Sequence, residues 1–329
     1  MYAFELVGEE DAFATYEVAA MAEAVRNPAP GIALASELSG PVAQLGWTRT
    51  ILAVVCSTRA DIDAMTEALR AATLDRSGTL AVRARGIRGT PVDTMAIERA
   101  IGTVLVDRGY EIDLENPDHV VRVLVSAERA YIGWVIAEPG GDVGRRRPTD
   151  RPFFQPGSMA PRLARWLVNI ARIEPDQWVI DPMCGTGGIV LEAAFVGASV
   201  IGADVQEHMV RGTRENVHEA GVRDRVHLLQ GDAARLPLAE NSVKAAIFDA
   251  PYGRQSKVAG EGLLDRALSE SQRVAVCAVV VADQPIDERA EQANWHVRKR
   301  FDRRVHRSLT RYIYHLVHTP AEDLGTGVG

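Results

Sequence analysis

The stretch VIDPMCGTGG, residues 179–188, places an aspartate and a cluster of glycines directly after a short apolar run. The run predicts a buried strand, and the apolar residues after Gly188 predict a helix that reaches Val196. Glycine lets the backbone approach a ligand closely, and the first amides of a helix form a natural anion site. The stretch therefore indicates a strand, a ligand-binding loop and a helix, although a glycine cluster alone often serves only a tight turn.

Strand and helix patterns alternate around this loop, from residue 159 to the end of the chain. Strands are predicted at WVIDPM, SVIGAD, VHLLQGD, AAIFDAP and CAVVVAD, followed by a terminal strand pair, WHVRKRFDRRVH with RYIYHLVHT. Helical patterns separate most of these strands, and Ser158 is a candidate cap for the helix that contains Pro161. Such alternation predicts a doubly wound α/β sheet over residues 159–329, with ligands at the carboxyl ends of its strands.

An aspartate stands at the end of each of four predicted strands. The four are Asp181, Asp204, Asp232 and Asp249. Taken singly, such an acid is more often a turn or helix cap than a ligand. Because parallel strands direct their carboxyl ends to one edge of a sheet, however, we expect the four side chains around one crevice. The pattern therefore favours a cofactor site at that edge.

Two cofactors are candidates for this site. A nicotinamide dinucleotide prefers a G-x-G-x-x-G loop, which CGTGG does not provide. S-adenosylmethionine carries no phosphate and suits the loop better, with Asp181 accepting from its ammonium, Asp204 from its ribose hydroxyls, and Asp232 from its adenine amine. The predicted cofactor-binding residues are Asp181, Cys184, Gly185, Gly187, Asp204, Val205, Asp232 and Ala233, the last through its backbone amide.

The segment DAPY, residues 249–252, follows the fourth predicted strand and indicates the chemistry. The exocyclic amine of a nucleobase is a poor nucleophile, because its lone pair is delocalised into the ring. Two acceptors, the Asp249 carboxylate and the Ala250 carbonyl, would favour a more tetrahedral nitrogen aimed at a methyl donor. Pro251 restricts Ala250 to extended conformations, and Tyr252 offers a face for an extruded base. We therefore predict that Asp249, Ala250, Pro251 and Tyr252 are catalytic.

The composition changes once, at EPGGDVGRRRPTDRPFFQPGS, residues 138–158. This segment holds four prolines and four glycines and fits neither a helical nor a strand period. We predict a linker at residues 141–158. Ahead of it, strand and helix patterns mix, and they suggest two small α+β domains at residues 1–55 and 56–140, the first with a helix from Asp11 to Asn27.

The net charge of −7 conceals two basic tracts, GRRRPTDR at residues 144–151 and VRKRFDRRVHRSLTR at residues 297–311. A charge run is usually a solvated surface, but arginine also suits bidentate contacts with phosphate, so a nucleic-acid partner stays open. The predicted substrate-binding residues are Arg145, Arg146, Arg147, Arg298, Arg300 and Arg303.

The sequence also bears on membrane association, metal binding and oligomeric state. The sequence contains no apolar run of about 20 residues, the length that a bilayer span requires. Its first residues carry acids where a signal peptide would carry bases, so we expect a cytoplasmic protein without membrane contact. The three cysteines lie far apart and form no C-x-x-C pair, which indicates neither disulfides nor a metal site. Nothing in the pattern suggests an obligate dimer, so we expect a monomer.

The motifs VIDPMCGTGGIVLEAA, GDAARLPL and DAPYGR resemble those of the Rossmann-like amino-methyltransferases that carry a [D/N]-P-P-Y motif. With RPFFQPGSMAPRLARWLVNIA ahead of them, the chain is similar to the archaeal THUMP-containing tRNA guanine-10 N2-methyltransferases. The resemblance implies a Rossmann-like S-adenosylmethionine-dependent methyltransferase sheet preceded by α+β ferredoxin-like and THUMP domains, the THUMP domain holding tRNA. The product would be N2-methylguanine and N2,N2-dimethylguanine. The sequence departs from the family at Ala250, where the family has its first proline.

Three alternatives stay open from the sequence. A guanine-6 tRNA methyltransferase would share the motifs, although the motif of those enzymes usually begins with asparagine. A DNA amino-methyltransferase would use the same chemistry but is expected to carry a target-recognition insert, which the sequence lacks. A catalytically inactive tRNA-binding protein would explain Ala250, but the intact acids oppose it.

Overall fold

The computed structural model describes residues 1–139, 141–251, 262–306 and 309–318. The chain forms two compact units, residues 1–142 and 143–329. Among the described helices, none is both long and apolar enough to cross a membrane.

The first unit is built on an eight-stranded sheet with the order β3-β4-β1-β6-β10-β9-β7-β8, beside a small two-stranded sheet, β2-β5. Its strands are β1 (Tyr2–Leu6), β2 (Ala22–Glu23), β3 (Arg26–Ala29), β4 (Ile32–Ala35), β5 (Glu37–Leu38), β6 (Thr48–Arg59), β7 (Thr79–Gly86), β8 (Glu111–Ile112), β9 (His119–Ser126) and β10 (Arg129–Ala137). Its helices are α1 (Asp11–Val18), α2 (Ile62–Ala71) and α3 (Thr94–Asp107).

Local sequence explains α2 and α3. The side chains of Asp61 and Asp93 cap them by accepting from the amides of Ala64 and Ala96, at 2.9 and 3.0 Å. Along α3, the buried residues recur at helical spacing and form one apolar face. They are Ile97, Ile101, Val104 and Leu105, which pack with α2 against the sheet.

Two features of the first unit differ from the patterns in the sequence. The helix expected from Asp11 to Asn27 ends at Val18, because the following residues enter short strands that pair with Ile32–Ala35 and Glu37–Leu38. Strand β6 runs across residue 55, so the regions 1–55 and 56–140 contribute to one continuous sheet. A functional division between these two regions stays a prediction.

The second unit is built on a seven-stranded sheet with the order β13-β12-β11-β14-β15-β17-β16. Its strands are β11 (Trp178–Asp181), β12 (Ser199–Asp204), β13 (Val226–Gln230), β14 (Val243–Asp249), β15 (Ala275–Ala282), β16 (Trp295–His306) and β17 (Leu309–His318). Its helices are α4 (Gly141–Arg145), α5 (Pro161–Ile170), α6 (Gly188–Phe195), α7 (Glu207–Glu219), α8 (Leu263–Val274) and α9 (Asp287–Gln292).

The strand order positions the site. Strands β11 to β15 are parallel, and the antiparallel pair β16–β17 closes one edge against β15. The sheet reverses its winding between β11 and β14, and ligands of such sheets bind at the carboxyl ends beside that reversal. Val279, Val280 and Val281 on β15 are fully buried, as expected where both faces of a sheet are covered.

The second half of the predicted linker packs firmly within the second unit. Asn216 on α7 accepts from the Phe153 amide at 2.9 Å and donates to the Phe153 carbonyl at 2.8 Å. The Ser158 hydroxyl lies 3.0 Å from that of Thr186 in the glycine loop. Ser158 is therefore not the helix cap that the sequence suggested, since α5 begins after Ala160 with Pro161 in its first turn.

The contact between Phe153 and Gly212 gives a test of this packing. A methyl group on Gly212 would overlap the Phe153 ring, so we expect Gly212→Ala to lower the free energy of unfolding by about 1–3 kcal/mol. Gly102 in α3 is a matched control, because a Cβ there meets nothing within 4 Å. Gly102→Ala should be neutral or stabilising by about 0.5–1 kcal/mol. Urea unfolding of both variants measures the difference, and equal effects would contradict the packing.

Candidate active site

The glycine loop between β11 and α6 has a backbone that only glycine adopts readily. Gly187 has φ +80°, and a Cβ there would lie 2.7 Å from Thr213 Cγ2. Its amide donates to the Cys184 carbonyl at 2.7 Å, while the Thr213 hydroxyl donates to the Gly185 carbonyl at 2.6 Å. A Cβ on Gly185 would face open space, so this face of the loop is accessible to a ligand.

Asp181 ends β11 and is 2% exposed. One carboxylate oxygen accepts from the Met183 amide at 3.1 Å. Burial raises the pKa of Asp181 well above its usual range, and the nearby Asp204 and Asp249 carboxylates raise it further, against the effect of the Met183 hydrogen bond. Burial also raises the pKa of the Cys184 thiol, and the carboxylates of Asp181 and Asp204 raise it further, so this thiol stays neutral.

Asp204 ends β12 and holds the loop in place. Its two oxygens accept from the amides of Gly185 and Gln206, at 3.0 and 2.9 Å. Each carboxylate oxygen has a second lone pair, so the group retains acceptor capacity for a hydroxyl. The neighbouring Val205 is 66% exposed, and its carbonyl accepts from the Gln230 side chain at 3.1 Å.

Asp232 and Ala233 follow β13. Asp232 is exposed and accepts from the Ala234 amide at 2.9 Å, whereas Ala233 is buried. The Gly231 amide just before them donates to the Asp204 carbonyl at 3.1 Å, which ties this turn to the end of β12. The predicted adenine contacts therefore follow the strand next to the predicted ribose contact, although their roles stay predictions.

A cationic ligand fits this edge of the sheet. Asp181, Asp204 and Asp249 lie close enough together to raise the pKa of Asp181, so a positive charge among them would favour the ionised carboxylates. S-adenosylmethionine carries two such charges, a sulfonium and an ammonium. The open loop and the carboxylates together fit this cofactor, for which Asp181 and Asp204 supply acceptors.

Asp249 ends β14 beside this site. Its side chain is 20% exposed, and its Oδ1 atom is buried without a hydrogen-bond partner among the described residues. Burial has the largest effect on the pKa of Asp249 and raises it, Arg311 on β17 lowers it from 3.7 Å away, and Asp283 after β15 raises it, which together bring the pKa to about 6. The carboxylate is therefore largely ionised at neutral pH and offers an unused acceptor.

The residues after Asp249 continue the site. The buried Ala250 donates its amide to the Val281 carbonyl at 2.8 Å, which fixes the Asp249–Ala250 peptide against β15. Pro251 is half-buried. Tyr252, the fourth predicted catalytic residue, lies outside the described residues.

Of the six predicted substrate-binding arginines, three are exposed and three are half-buried. Arg145, Arg147 and Arg298 are exposed, as a phosphate contact requires. Arg146 instead forms a bidentate ion pair with buried Glu192, and Arg300 pairs with Asp287 and Asp302 and stacks on Tyr312 and Tyr314. Arg303 is half-buried on β16. Their contacts with RNA stay predictions.

Sequence reasoning missed Arg311 and Asp283 as parts of the site. Arg311 belongs to a tract that the sequence interpreted as a basic surface, yet it lies against Asp249. The antiparallel pairing of Ala282 with Tyr312 brings Arg311 and Asp283 to the end of β15, next to β14. A pairing between strands so distant along the chain has no local signal.

The strand order, the glycine loop after the first strand and the carboxylates at the strand ends define a Rossmann-like methyltransferase domain. Residues 148–313 match the family described as RMKL-like, methyltransferase domain, and residues 56–135 match the THUMP domain family. The fold is similar to that of SMU.472 in complex with SAH, with a TM-score of 0.52 and 14% identity over 97% of this chain and 98% of the other.

Two relatives with similar sequences define the family of this chain more closely. The tRNA (guanine(10)-N2)-dimethyltransferase of Methanothermobacter thermautotrophicus is 38% identical over 71% of this chain and 72% of its own. The enzyme of the same name from Pyrococcus abyssi is 33% identical over 72% of this chain and 73% of its own. The chain therefore belongs to the tRNA (guanine(10)-N2)-dimethyltransferase family.

The Asp249–Arg311 contact predicts a measurable titration. Arg311 stabilises the ionised form of Asp249, so its removal should shift the carboxyl pKa upward from about 6. The test is an NMR titration of carboxyl carbons in Arg311→Met, with Asp249→Asn to assign the signal. Lys299→Met, an exposed charge on β16, is the control and should leave the pKa of Asp249 unchanged. An equal pKa in Arg311→Met and the parent protein would exclude the contact.

Proposed function

We propose that this protein transfers methyl groups from S-adenosylmethionine to the N2 amine of guanine 10 in tRNA, forming N2-methylguanine and then N2,N2-dimethylguanine. The observation that carries the proposal is the Oδ1 atom of Asp249, which is buried at the carboxyl end of β14 beside the glycine loop and has no partner in the described parts of the chain. Buried polar atoms are normally hydrogen-bonded, so this acceptor suits an N–H donor from a substrate. The relatives named for guanine 10 support the choice of base and position.

Asp249 and Ala250 would orient the amine. The Asp249 carboxylate accepts from one N–H, and the Ala250 carbonyl accepts from the other, which localises the nitrogen lone pair. The hydrogen bond from the Ala250 amide to Val281 fixes the peptide before Ala250, and Pro251 restricts Ala250 to extended conformations, so its carbonyl can be positioned without the proline that the family has at position 250. Ala250 therefore preserves the acceptor while changing only the side chain.

The pKa of Asp249 suits its second task. When bound, the cofactor supplies an electrophilic methyl group on a sulfonium. The methylated nitrogen must then lose a proton, and a carboxylate with a pKa of about 6 can take it at neutral pH and release it to water. Asp181 and Asp204 would hold the cofactor through its ammonium and ribose hydroxyls.

The tRNA would contact the exposed arginines Arg145, Arg147 and Arg298 of the methyltransferase unit. The THUMP match over residues 56–135 supports a role for the first unit in binding tRNA. We place the reaction in the cytoplasm, with the protein acting as a monomer.

The catalytic proposal is tested by mass spectrometry of nucleosides from a tRNA transcript incubated with enzyme and cofactor. Asp249→Ala should lower the rate of guanine N2 methylation by about 100-fold or more, because an acceptor present only for the reacting amine is lost. Affinity for S-adenosylhomocysteine, measured by calorimetry, should change little. Undiminished methylation would remove Asp249 from the mechanism.

The pH dependence follows from the same carboxyl group. Its pKa is raised to about 6, so the ionised acceptor is lost as the pH falls through 6, and the rate should fall with it. Asp249→Asn cannot ionise and should lose this acid limb while remaining slow at every pH. Rates from pH 5 to 8 on the same transcript check this, and an unchanged limb in Asp249→Asn would assign it to another group.

The RNA contacts predict a change in salt dependence. Replacing Arg145, Arg147 and Arg298 with glutamine should weaken tRNA binding and reduce the slope of log affinity against log salt by about one for each lost phosphate contact. A triple variant of Arg211, Arg214 and Arg223, also exposed, serves as a control of equal charge. Equal slopes for the two triple variants would mean that the predicted arginines contribute only through net charge.

A further inference from the structure

The first basic tract supplies part of a buried charge cluster. Glu192 on α6 is fully buried, and its two oxygens accept from Arg146 at 3.1 and 2.9 Å. Arg165 on α5 reaches the same carboxylate at 3.0 and 2.8 Å. Two guanidinium groups therefore occupy the acceptor capacity of this one carboxylate.

A third guanidinium, that of Arg151, stands beside this cluster. Its Nη1 atom is buried and has no hydrogen-bond partner in the part of the chain that the structure describes. Burial lowers the pKa of Arg151, Glu192 raises it and Arg146 lowers it, which places Arg151 in the field of the cluster. Among the described residues, the Glu192 carboxylate therefore lies beside three guanidinium groups.

Arg151 borders the glycine loop. A Cβ built on Gly188, the first residue of α6, would lie 3.8 Å from Arg151 Nη1 and 3.6 Å from the Met159 Cβ. Negatively charged side chains border the same loop, since the Asp204 carboxylate accepts from the Gly185 amide and Asp181 precedes the loop. Carboxylates and a guanidinium that lacks a full set of described partners therefore border the same loop.

We propose that Arg151 binds the α-carboxylate of the methionine portion of S-adenosylmethionine, an inference that rests on the proposed function. An α-amino acid presents an ammonium and a carboxylate on one carbon. The Asp181 carboxylate suits the ammonium. The Arg151 guanidinium, with an N–H that no described residue accepts, suits the carboxylate. Arg151 is thus a specificity-determining residue for the amino-acid end of the cofactor and contacts no reacting atom.

Two other roles for Arg151 make different predictions. A purely structural counterion for Glu192 would act equally on every ligand, since its removal would disturb α6. A contact with a tRNA phosphate would affect RNA affinity and leave the affinity for a free nucleoside ligand unchanged. Ligands that differ only in the carboxylate separate these roles.

The experiment is calorimetric titration of the full-length protein with S-adenosylhomocysteine and with its decarboxylated analogue, S-adenosyl-3-thiopropylamine, which keeps the ammonium. The parent protein should bind the analogue about tenfold to a hundredfold more weakly, the range of a charge-assisted hydrogen bond. Arg151→Met should weaken S-adenosylhomocysteine by a similar factor and leave the analogue within about twofold. Arg151→Lys should fall between the two proteins.

Control measurements make each outcome decisive. Arg223→Met replaces an exposed arginine just before β13, at the amino ends of the parallel strands. This variant should change neither affinity. The thermal midpoint of ligand-free Arg151→Met should not fall, because an unsatisfied buried donor is removed. A lower midpoint with equal losses for both ligands would overturn the proposal in favour of a structural role, as would unchanged affinities with weakened tRNA binding in favour of a phosphate contact.

The parent protein alone also decides the proposal if Arg151→Met does not fold. Equal affinity of the parent for the two ligands would exclude a carboxylate contact. Binding of neither ligand would reject the cofactor itself, and with it the proposed function. Binding of S-adenosylhomocysteine with no role for Arg151 would reject only the present inference.

Discussion

The convergence of like charges at one edge of a parallel sheet is the constraint on which the site depends. Asp181 is buried at the end of β11, and Asp204 and Asp249 end the two strands that pair with it. Burying carboxylates together is costly unless a cation or hydrogen-bond donors satisfy them. Backbone amides contact both oxygens of Asp204, Asp181 retains acceptor capacity, and Oδ1 of Asp249 has no hydrogen-bond partner among the described residues. The edge therefore offers acceptors to the cationic cofactor and the amine substrate that we propose.

The segment at residues 151–159 completes this edge from outside the sheet. Phe153 is held by both hydrogen-bonding groups of Asn216, and Ser158 contacts Thr186 within the glycine loop. A segment that appears to be a linker by composition therefore packs against the glycine loop, where we propose that the cofactor binds. The arginines just ahead of this segment differ in their surroundings: Arg146 is paired with Glu192, whereas Arg147 is exposed.

Much of the second unit was predictable because its strands have strong local signals. Each apolar run ends in an acid or turn residue, and every strand expected after residue 159 is present. Helix α9 was missed because a six-residue helix with several charges has little periodicity. The helix expected to reach Asn27 ends nine residues earlier, because the partners that draw the following residues into strands lie further along the chain.

The sequence by itself determined which residues end the strands, because alternation of apolar and polar residues is local and parallel strands then bring those ends to one edge. It also determined the family, because the motifs around Asp181 and Asp249 are contiguous. Only the tertiary structure decided the partners of the charged side chains: Arg311 lies against Asp249, Arg146 pairs with Glu192, and Arg151 keeps an N–H that no described residue accepts. These contacts depend on strand pairing and helix packing between distant segments, for which local composition carries no information.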